Sequence, residues 1–302
     1  MYPCYNRLSF CLGVDFMVAR MEQTVIDKQN STLAKEQSGQ PVQVSLDGPI
    51  ATLSLNRPEV HNAFNPATIL GIYEAITALG QDPAIRAIIL TGNGQSFSAG
   101  GDLNWMQASI DYTYEENLAD AQQLFTMLTT LRTCPKPTIA KINGHAFGGG
   151  VGLVACCDMA IAVSHAKFSF SEVRLGLVPG TISPFVLEKI GPAQASRFFL
   201  TAERFTADTA CQLGLIHRVA SDEADLDTGV ARWCEAICAN GPEAIAHTKQ
   251  LIMTLQAPAW QTQINLASEA IARARVSPEG QEGVTAFLEK RPPQWMTTVE
   301  EQ

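Results

Sequence analysis

No Cys-x-x-Cys pair, no His-Glu-x-x-His and no Gly-x-Ser-x-Gly occurs in the 302 residues, and the five histidines, His61, His145, His165, His217 and His247, lie scattered. A closely spaced zinc site, a zincin helix and a nucleophile elbow are therefore excluded as local motifs. No apolar run reaches the ~18 residues that a membrane-spanning helix needs. Positive charge is in deficit: 21 Lys and Arg face 30 Asp and Glu, a formal net charge of −9. That is the wrong sign for a chain that holds nucleic acid by neutralising phosphates. Eight cysteines, two of them adjacent at Cys156 and Cys157, are too sparse for a disulfide scaffold and read as buried thiols in a reducing compartment. The cytoplasm is the expected location, with an organelle matrix as the alternative.

What is present is apolar. Hydrophobic residues make up 46% of the chain and charged residues 17%, enough for a large core and unlike a disordered composition. The N-terminal stretch behaves differently. Arg7 precedes an apolar segment over 8–19, but Asp15 interrupts it and the small-x-small cleavage pattern of a secretory signal is missing. Residues 1–40 are expected to form a flexible extension, 41–238 a core, and 239–302 a C-terminal helical lobe.

Along the core the hydrophobic period alternates between strand and helix. Val42, Val44 and Leu46, then Ile50, Leu53 and Leu55, flank Asp47-Gly48 and predict a hairpin. Asn65 and Pro66 predict a helix start, running to Gly80, with the strand 87–90 after it. Helix 115–132, strand 138–142, a helix opening at Gly148 and strand 159–163 continue the pattern. Beyond residue 220 the pattern predicts helices only, over 222–238, 242–255, 260–275 and 278–290. The fold class is α/β with a helical C-terminal lobe.

Two glycine-rich turns stand out, Ser98-Ala99-Gly100-Gly101-Asp102 and Gly148-Gly149-Gly150-Val151-Gly152. Neither has the spacing of a dinucleotide fingerprint or a P-loop. Each leads towards a helix, where free N–H groups favour negative charge. Two such turns can build an oxyanion hole, or they can be tight packing turns. Glu172 ends the alternating segment Phe168-Ser169-Phe170-Ser171. A carboxyl in apolar surroundings can serve as general acid or base, and it can equally be a first-turn helix acid. Asp102 and Asp158, short acids at strand–helix junctions, read as capping or turn residues.

At these residues the chain resembles the enoyl-CoA hydratase/isomerase (crotonase) superfamily, from about residue 41 to the C-terminus. The resemblance rests on Asn56-Arg57-Pro58, His61-Asn62-Ala63-Phe64-Asn65, Phe97-Ser98-Ala99-Gly100-Gly101-Asp102, Lys136-Pro137 and Asn143-Gly144 running into the Gly148 turn. It implies a ββα spiral core, a homotrimer or homohexamer, and an acyl-CoA substrate without further cofactor or metal. It places the oxyanion hole on the N–H groups of Gly101 and Gly149. Of the family's two catalytic glutamates, one falls on Glu172, while position 152 is Gly. The CoA would be held by Arg57, His61, main-chain N–H groups near Ala63 and Gly101, and by Phe287 and Lys290 of the terminal helix reaching a neighbouring subunit.

The segments Asp102-Leu103-Asn104-Trp105-Met106, Glu116-Asn117-Leu118-Ala119-Asp120-Ala121, Gly150-Val151-Gly152-Leu153-Val154-Ala155-Cys156-Cys157-Asp158 and Ser171-Glu172-Val173-Arg174-Leu175-Gly176-Leu177 are similar to the bacterial methylglutaconyl-CoA hydratase branch, in which Gly at position 152 is expected. The branch implies hydration of 3-methylglutaconyl-CoA, as in leucine breakdown. Isohexenylglutaconyl-CoA (carboxygeranoyl-CoA) hydration and one-glutamate double-bond isomerisation are the alternatives. Gly152 is expected to leave room for water or for a substrate branch. An RNA-binding role needs a basic helix, whereas 115–132 carries Glu115, Glu116 and Asp120 against one Arg.

Overall fold

The computed structural model describes residues 39–255 and 277–297. It opens on two antiparallel strands, β1 (Val42–Asp47) and β2 (Ile50–Leu55), paired from Val42 opposite Leu55 to Asp47 opposite Ile50. α1 (Pro66–Gln81) follows. The Asn65 side chain accepts the Thr68 N–H at 2.8 Å, and Pro66 sits at the start of the helix, where a missing N–H breaks no bond.

The chain then repeats a strand–strand–helix turn. β3 (Ala87–Gly92) and β4 (Ser96–Ser98) lead to α2 (Leu103–Ala108) and α3 (Tyr114–Thr133). β5 (Thr138–Ile142) and β6 (His145–Phe147) lead to α4 (Gly149–Cys156). β7 (Met159–Val163) and β8 (Lys167–Ser169) lead, through a short 3-10 turn over Glu172–Leu175, to α5 (Ser183–Thr201). β9 (Phe205–Thr206), α6 (Ala207–Gln212) and β10 (Arg218–Ala220) complete the sheets.

In every turn the first strand joins one sheet and the second strand the other. The larger sheet has the order β1-β2-β3-β5-β7-β10 and the smaller β4-β6-β8-β9. Pairing is parallel from β2 to β10 and from β4 to β8, and antiparallel at β1–β2 and β8–β9. This is the expected spiral. β5 and β7 are buried along nearly their whole length, which is why β7 is apolar without alternation and β5 departs from that only at Thr138 and the half-buried Lys141.

The expected helices agree with the structure to within a residue or two where it describes them, and α3 gains a capping box between Thr113 and Glu116. α5 went unread because Gly191-Pro192 interrupts it: Gly191 has φ 71° and ψ 163°, so the helix is bent there. α7 (Glu223–Cys238) is capped by Asp222, and α8 (Pro242–Thr254), α9 (Pro278–Glu289) and α10 (Gln294–Thr297) follow. The helix read over 260–275 and the extension over 1–38 lie outside the described residues.

α8 is pinned to the core by a buried cation. Lys249 reaches down so that Nζ donates to Asp158 Oδ2 at 2.7 Å and to the Lys136 carbonyl at 3.1 Å. The same Asp158 oxygen accepts the N–H and hydroxyl of Thr138 at 2.8 and 2.9 Å, tying the starts of β5 and β7 together. α9 in turn lends Glu279 to the start of α8, where its carboxylate accepts the N–H groups of Glu243 and Ala244. Breaking a buried pair leaves an uncompensated charge, so Asp158→Ala is expected to cost about 3 kcal/mol in denaturant unfolding. Lys249→Met in the same background should recover part of that loss.

Candidate active site

The turns that end β4 and β6 meet. Loop 61–64 holds them: the Phe64 N–H donates to the Gly100 carbonyl at 2.6 Å, the Asp102 N–H to Phe64 O at 2.8 Å and the Ala99 N–H to His61 O at 2.9 Å. Asn62 makes this loop possible. It is 1% exposed, adopts a left-handed backbone with φ 56°, and its side-chain amide donates to the carbonyls of Asn93 and Ser96. The approach is close enough that a Cβ on Gly100 would stand 2.9 Å from Phe147 O and 3.4 Å from Gly149 N. A Cβ on Gly149 would meet the Phe64 ring at 2.8 Å. Only glycine fits, because each neighbour is fixed backbone or a buried ring.

This packing leaves two donors without protein acceptors. Gly101 precedes α2, whose N-cap is Asp102, and Gly149 is the first residue of α4; neither N–H donates within the described residues. Both belong to helix starts, where N–H groups have no intrahelical partner. Trp105 and Met106 of α2 flank Gly101, and the Trp105 indole N–H donates to Asp120 of α3 at 3.3 Å.

Glu172 stands beside them as the first residue of its 3-10 turn. Its Oε1 lies 3.4 Å from where a Gly148 Cβ would be, and its Oε2 is buried with no hydrogen-bond partner. Burial pushes the carboxyl above the usual glutamate range, against a smaller opposing effect of its own N–H. An acid without a structural partner, held where its charge is poorly solvated, is suited to proton transfer.

The remaining expected site residues are placed as follows. Burial acts to raise the Asp102 carboxyl, but the Arg57 guanidinium and the N–H groups of Asn104 and Trp105 together hold it below the usual range. Arg57 contacts Asp102 at 2.7 Å and donates to the Ala63 carbonyl at 2.8 Å, so its charge braces the loop. The Ala63 N–H is also engaged, donating to Val60 O at 3.1 Å. His61 is exposed in a left-handed turn, its Nδ1 3.0 Å from the Ser96 hydroxyl. Lys290 is exposed just past α9, with φ 56°, and the backbone of α9 includes Phe287.

One expectation is corrected. Gly152 leaves no room for water or for a substrate branch: a Cβ there would be 2.3 Å from Ile182 Cγ2 and 3.8 Å from Leu128 Cδ2. Ile182, 1% exposed and just before α5, fills the position. The sequence carries no local signal for this, since the two residues are thirty positions apart and meet only through the packing of α4 and α5. Phe64, which backs Gly149, lay within a recognised motif yet went unassigned for the same reason.

Comparison with known proteins agrees with the geometry. Residues 46–298 match the family model for enoyl-CoA hydratase/isomerase. The chain belongs to the enoyl-CoA hydratase/isomerase family. A crotonyl-CoA hydratase of Syntrophomonas wolfei is 36% identical over 244 residues, covering 80% of this chain and 92% of that one. A 2,3-dehydroadipyl-CoA hydratase of Escherichia coli is 31% identical over 251 residues, covering 83% and 96%. The crystal structure of an enoyl-CoA hydratase from Shewanella pealeana superposes with a TM-score of 0.83 at 39% identity, over 89% of this chain and 99% of the other. The protein is thus a hydro-lyase of the enoyl-CoA hydratase type with the crotonase fold, and an acyl-CoA substrate is consistent with the family.

The tight fit at position 152 gives a stability prediction. Gly152→Ala should cost about 1–3 kcal/mol by overpacking. In a double-mutant cycle with Ile182→Ala, which removes Cγ2, thermal unfolding should show a favourable coupling of about 1 kcal/mol or more. Additive losses would mean that the two positions do not touch.

Proposed function

We propose that the enzyme adds water across the C2=C3 bond of a branched, carboxylated enoyl-CoA, with 3-methylglutaconyl-CoA as the leading candidate. The observation that carries the reaction class is the buried, unpartnered Glu172 carboxyl set beside two free main-chain donors. The Gly101 and Gly149 N–H groups hold the thioester oxygen. As water attacks C3, charge flows through C2 onto that oxygen, and each preorganised donor contributes roughly 3–4 kcal/mol at the transition state. Glu172 supplies the proton at C2 and is reprotonated by the proton the attacking water gives up, so that one H and one OH are added.

The substrate assignment draws on the branch similarity of the segments around Asp102, Glu116 and Glu172, and on the Escherichia coli relative named for 2,3-dehydroadipyl-CoA, itself a carboxylated chain. Isohexenylglutaconyl-CoA shares the same head group with a longer tail. The exposed His61 imidazole and Lys290 ammonium are the proposed contacts for CoA phosphates on this acidic chain, with Phe287 and Lys290 acting across a subunit boundary in a homotrimer or homohexamer. A second reading has an observation of its own: Ile182 in place of a second carboxylate leaves one acid, which is all that moving a double bond between C3=C4 and C2=C3 requires.

Incubation with 3-methylglutaconyl-CoA, isohexenylglutaconyl-CoA, crotonyl-CoA and a 3-enoyl-CoA in oxygen-18 water separates these readings. Label in a 3-hydroxyacyl product marks hydration, and the preferred acyl group identifies the tail. Isomerised 3-enoyl-CoA with no label in any product would overturn the hydratase assignment.

Glu172→Gln should keep the fold and lose about 10²–10⁴ in kcat. It should also stabilise the protein in a pH-dependent way. Unfolded, the glutamate ionises at its ordinary value, and folded it ionises higher. Between the two the folded state holds the extra proton, so wild-type stability falls as pH rises through that interval and stays lower above it. The variant's gain in Tm should therefore be present at neutral pH and vanish below about pH 4.

A further inference from the structure

α2 lies against the Gly101 donor and is thinly held. The heavy atoms nearest to a Cβ on Gly101, its chain neighbours aside, are Met106 Cγ and Sδ at 3.5 Å and Trp105 Cε3 at 4.0 Å. The helix has six residues, none of them buried; Trp105 and Met106 are half-buried and the other four exposed. Trp105 packs at the edge of the core, and its indole N–H donates to Asp120 Oδ1 at 3.3 Å. Among the described residues this is the one side-chain hydrogen bond that joins α2 to another helix. The Asn104 N–H bond to Asp102 and the Ser109 hydroxyl bond to Met106 O stay within the segment.

Asp120 stands where α3 begins to pack. Residues 114–119 of that helix are exposed, and Asp120 is its first residue that is not. Further on, Met127, Leu128 and Leu131 enter the core, and the Phe125 ring meets Phe185 of α5 with centroids 5.6 Å apart. Burial raises the Asp120 carboxyl above the usual aspartate range and the indole N–H lowers it, with no cation contributing. Segments with few buried contacts open at little free energy, so one charge-assisted bond decides where the indole sits. The Gly101 donor does not depend on it. Its backbone is fixed from the other side, by the bridge between Phe64 and Gly101 and by the Asp102 N–H bond to Phe64 O.

We infer that Asp120 is a positioning residue for acyl selectivity: by holding the Trp105 indole it fixes the wall beside the thioester on Gly101 and so limits the acyl group that is turned over, a role that rests on the hydratase reading above. A thioester whose oxygen accepts the Gly101 N–H brings its acyl chain up to the side chains that border that residue, and these are Trp105 and Met106. Trp105 makes the contact. Asp120 touches no reacting atom and acts through the indole alone. A tethered ring excludes a long chain; a released ring on a helix without buried residues gives way. Loss of the tether therefore moves the wall and spares the donors.

The test compares kcat/KM for 2-octenoyl-CoA with kcat/KM for crotonyl-CoA. In Asp120→Ala this ratio should rise about tenfold, the scale of one altered contact in an apolar pocket. Trp105→Phe, which narrows the ring and removes the N–H, should raise it too, and adding Asp120→Ala to that variant should change it little further, because the bond is already gone. Asp120→Asn keeps an acceptor oxygen and should return the ratio to that of the wild type. A ratio unchanged in Asp120→Ala would overturn the proposal, and so would an equal rise in Asp120→Asn, which would name the charge rather than the bond. A second readout needs no turnover. With 5-fluorotryptophan in place of the four tryptophans, the fluorine resonance lost in Trp105→Phe reports this ring. Butyryl-CoA, which has no double bond to hydrate, should shift it, and Asp120→Ala should move and broaden it in the free protein. No shift at saturating butyryl-CoA would remove Trp105 from the wall and overturn the proposal. Absence of hydration by the wild type with every enoyl-CoA tried, alongside that shift, would remove the hydratase reading, and the selectivity role with it, while the indole contact stands.

Discussion

The contact between two backbone turns, one ending β4 and one ending β6, sets the geometry of the site. These strands belong to the smaller sheet and are reached by successive turns of the spiral, so the chain returns to the same place about fifty residues later. The turns can touch because Gly100 and Gly150 present no side chain: a Cβ on Gly150 would lie 2.6 Å from Ser98 O. Protein interiors are packed too tightly to absorb that overlap elsewhere. Once the turns are in contact, Gly101 and the first residue of α4 have their N–H groups free.

The electrostatics follow from this placement. A chain with a formal charge of −9 has no general attraction for an anionic thioester, so stabilisation of negative charge has to be local and oriented. Main-chain donors fixed by a buried loop need no reorganisation when charge develops. The Arg57 guanidinium pairs with Asp102, next to Gly101, and donates to the Ala63 carbonyl, which braces loop 57–64 and leaves the donors themselves as main-chain dipoles. Beside them Glu172 stays unpaired at the cost of a poorly solvated carboxylate. Ile182 and Leu128 fill the space beside Gly152 with methyl groups, so no side chain is accommodated at that position of α4.

Much of this was legible in the chain. The strand periods, the Asn65-Pro66 start of α1 and the glycine clusters at 98–102 and 148–152 are local signals, and the structure places them as read. The motif His61-Asn62-Ala63-Phe64 was visible only through the family resemblance, while the left-handed backbone of Asn62 and the burial of Phe64 appear in the structure alone. What could not be read depends on distant packing. Ile182 against Gly152, Lys249 against Asp158 and Glu279 at the start of α8 each join residues that sequence periodicity does not connect. The filled space at Gly152 is of this kind, since a missing side chain says nothing about which neighbour fills the volume. Arg57 illustrates the converse, since its charge was visible and its buried partner was not.

The central claim is that the Gly101 and Gly149 N–H groups polarise the thioester carbonyl of a bound enoyl-CoA. It is tested most directly by the infrared stretching frequency of that carbonyl, isotope-labelled at C1 and bound to the Glu172→Gln variant, whose slowed turnover should leave the complex intact long enough to record. Two short donors should lower the frequency relative to the free thioester in water, with a single narrow band from one ordered geometry. A frequency equal to that in water, or raised towards that in an apolar solvent, would contradict the account.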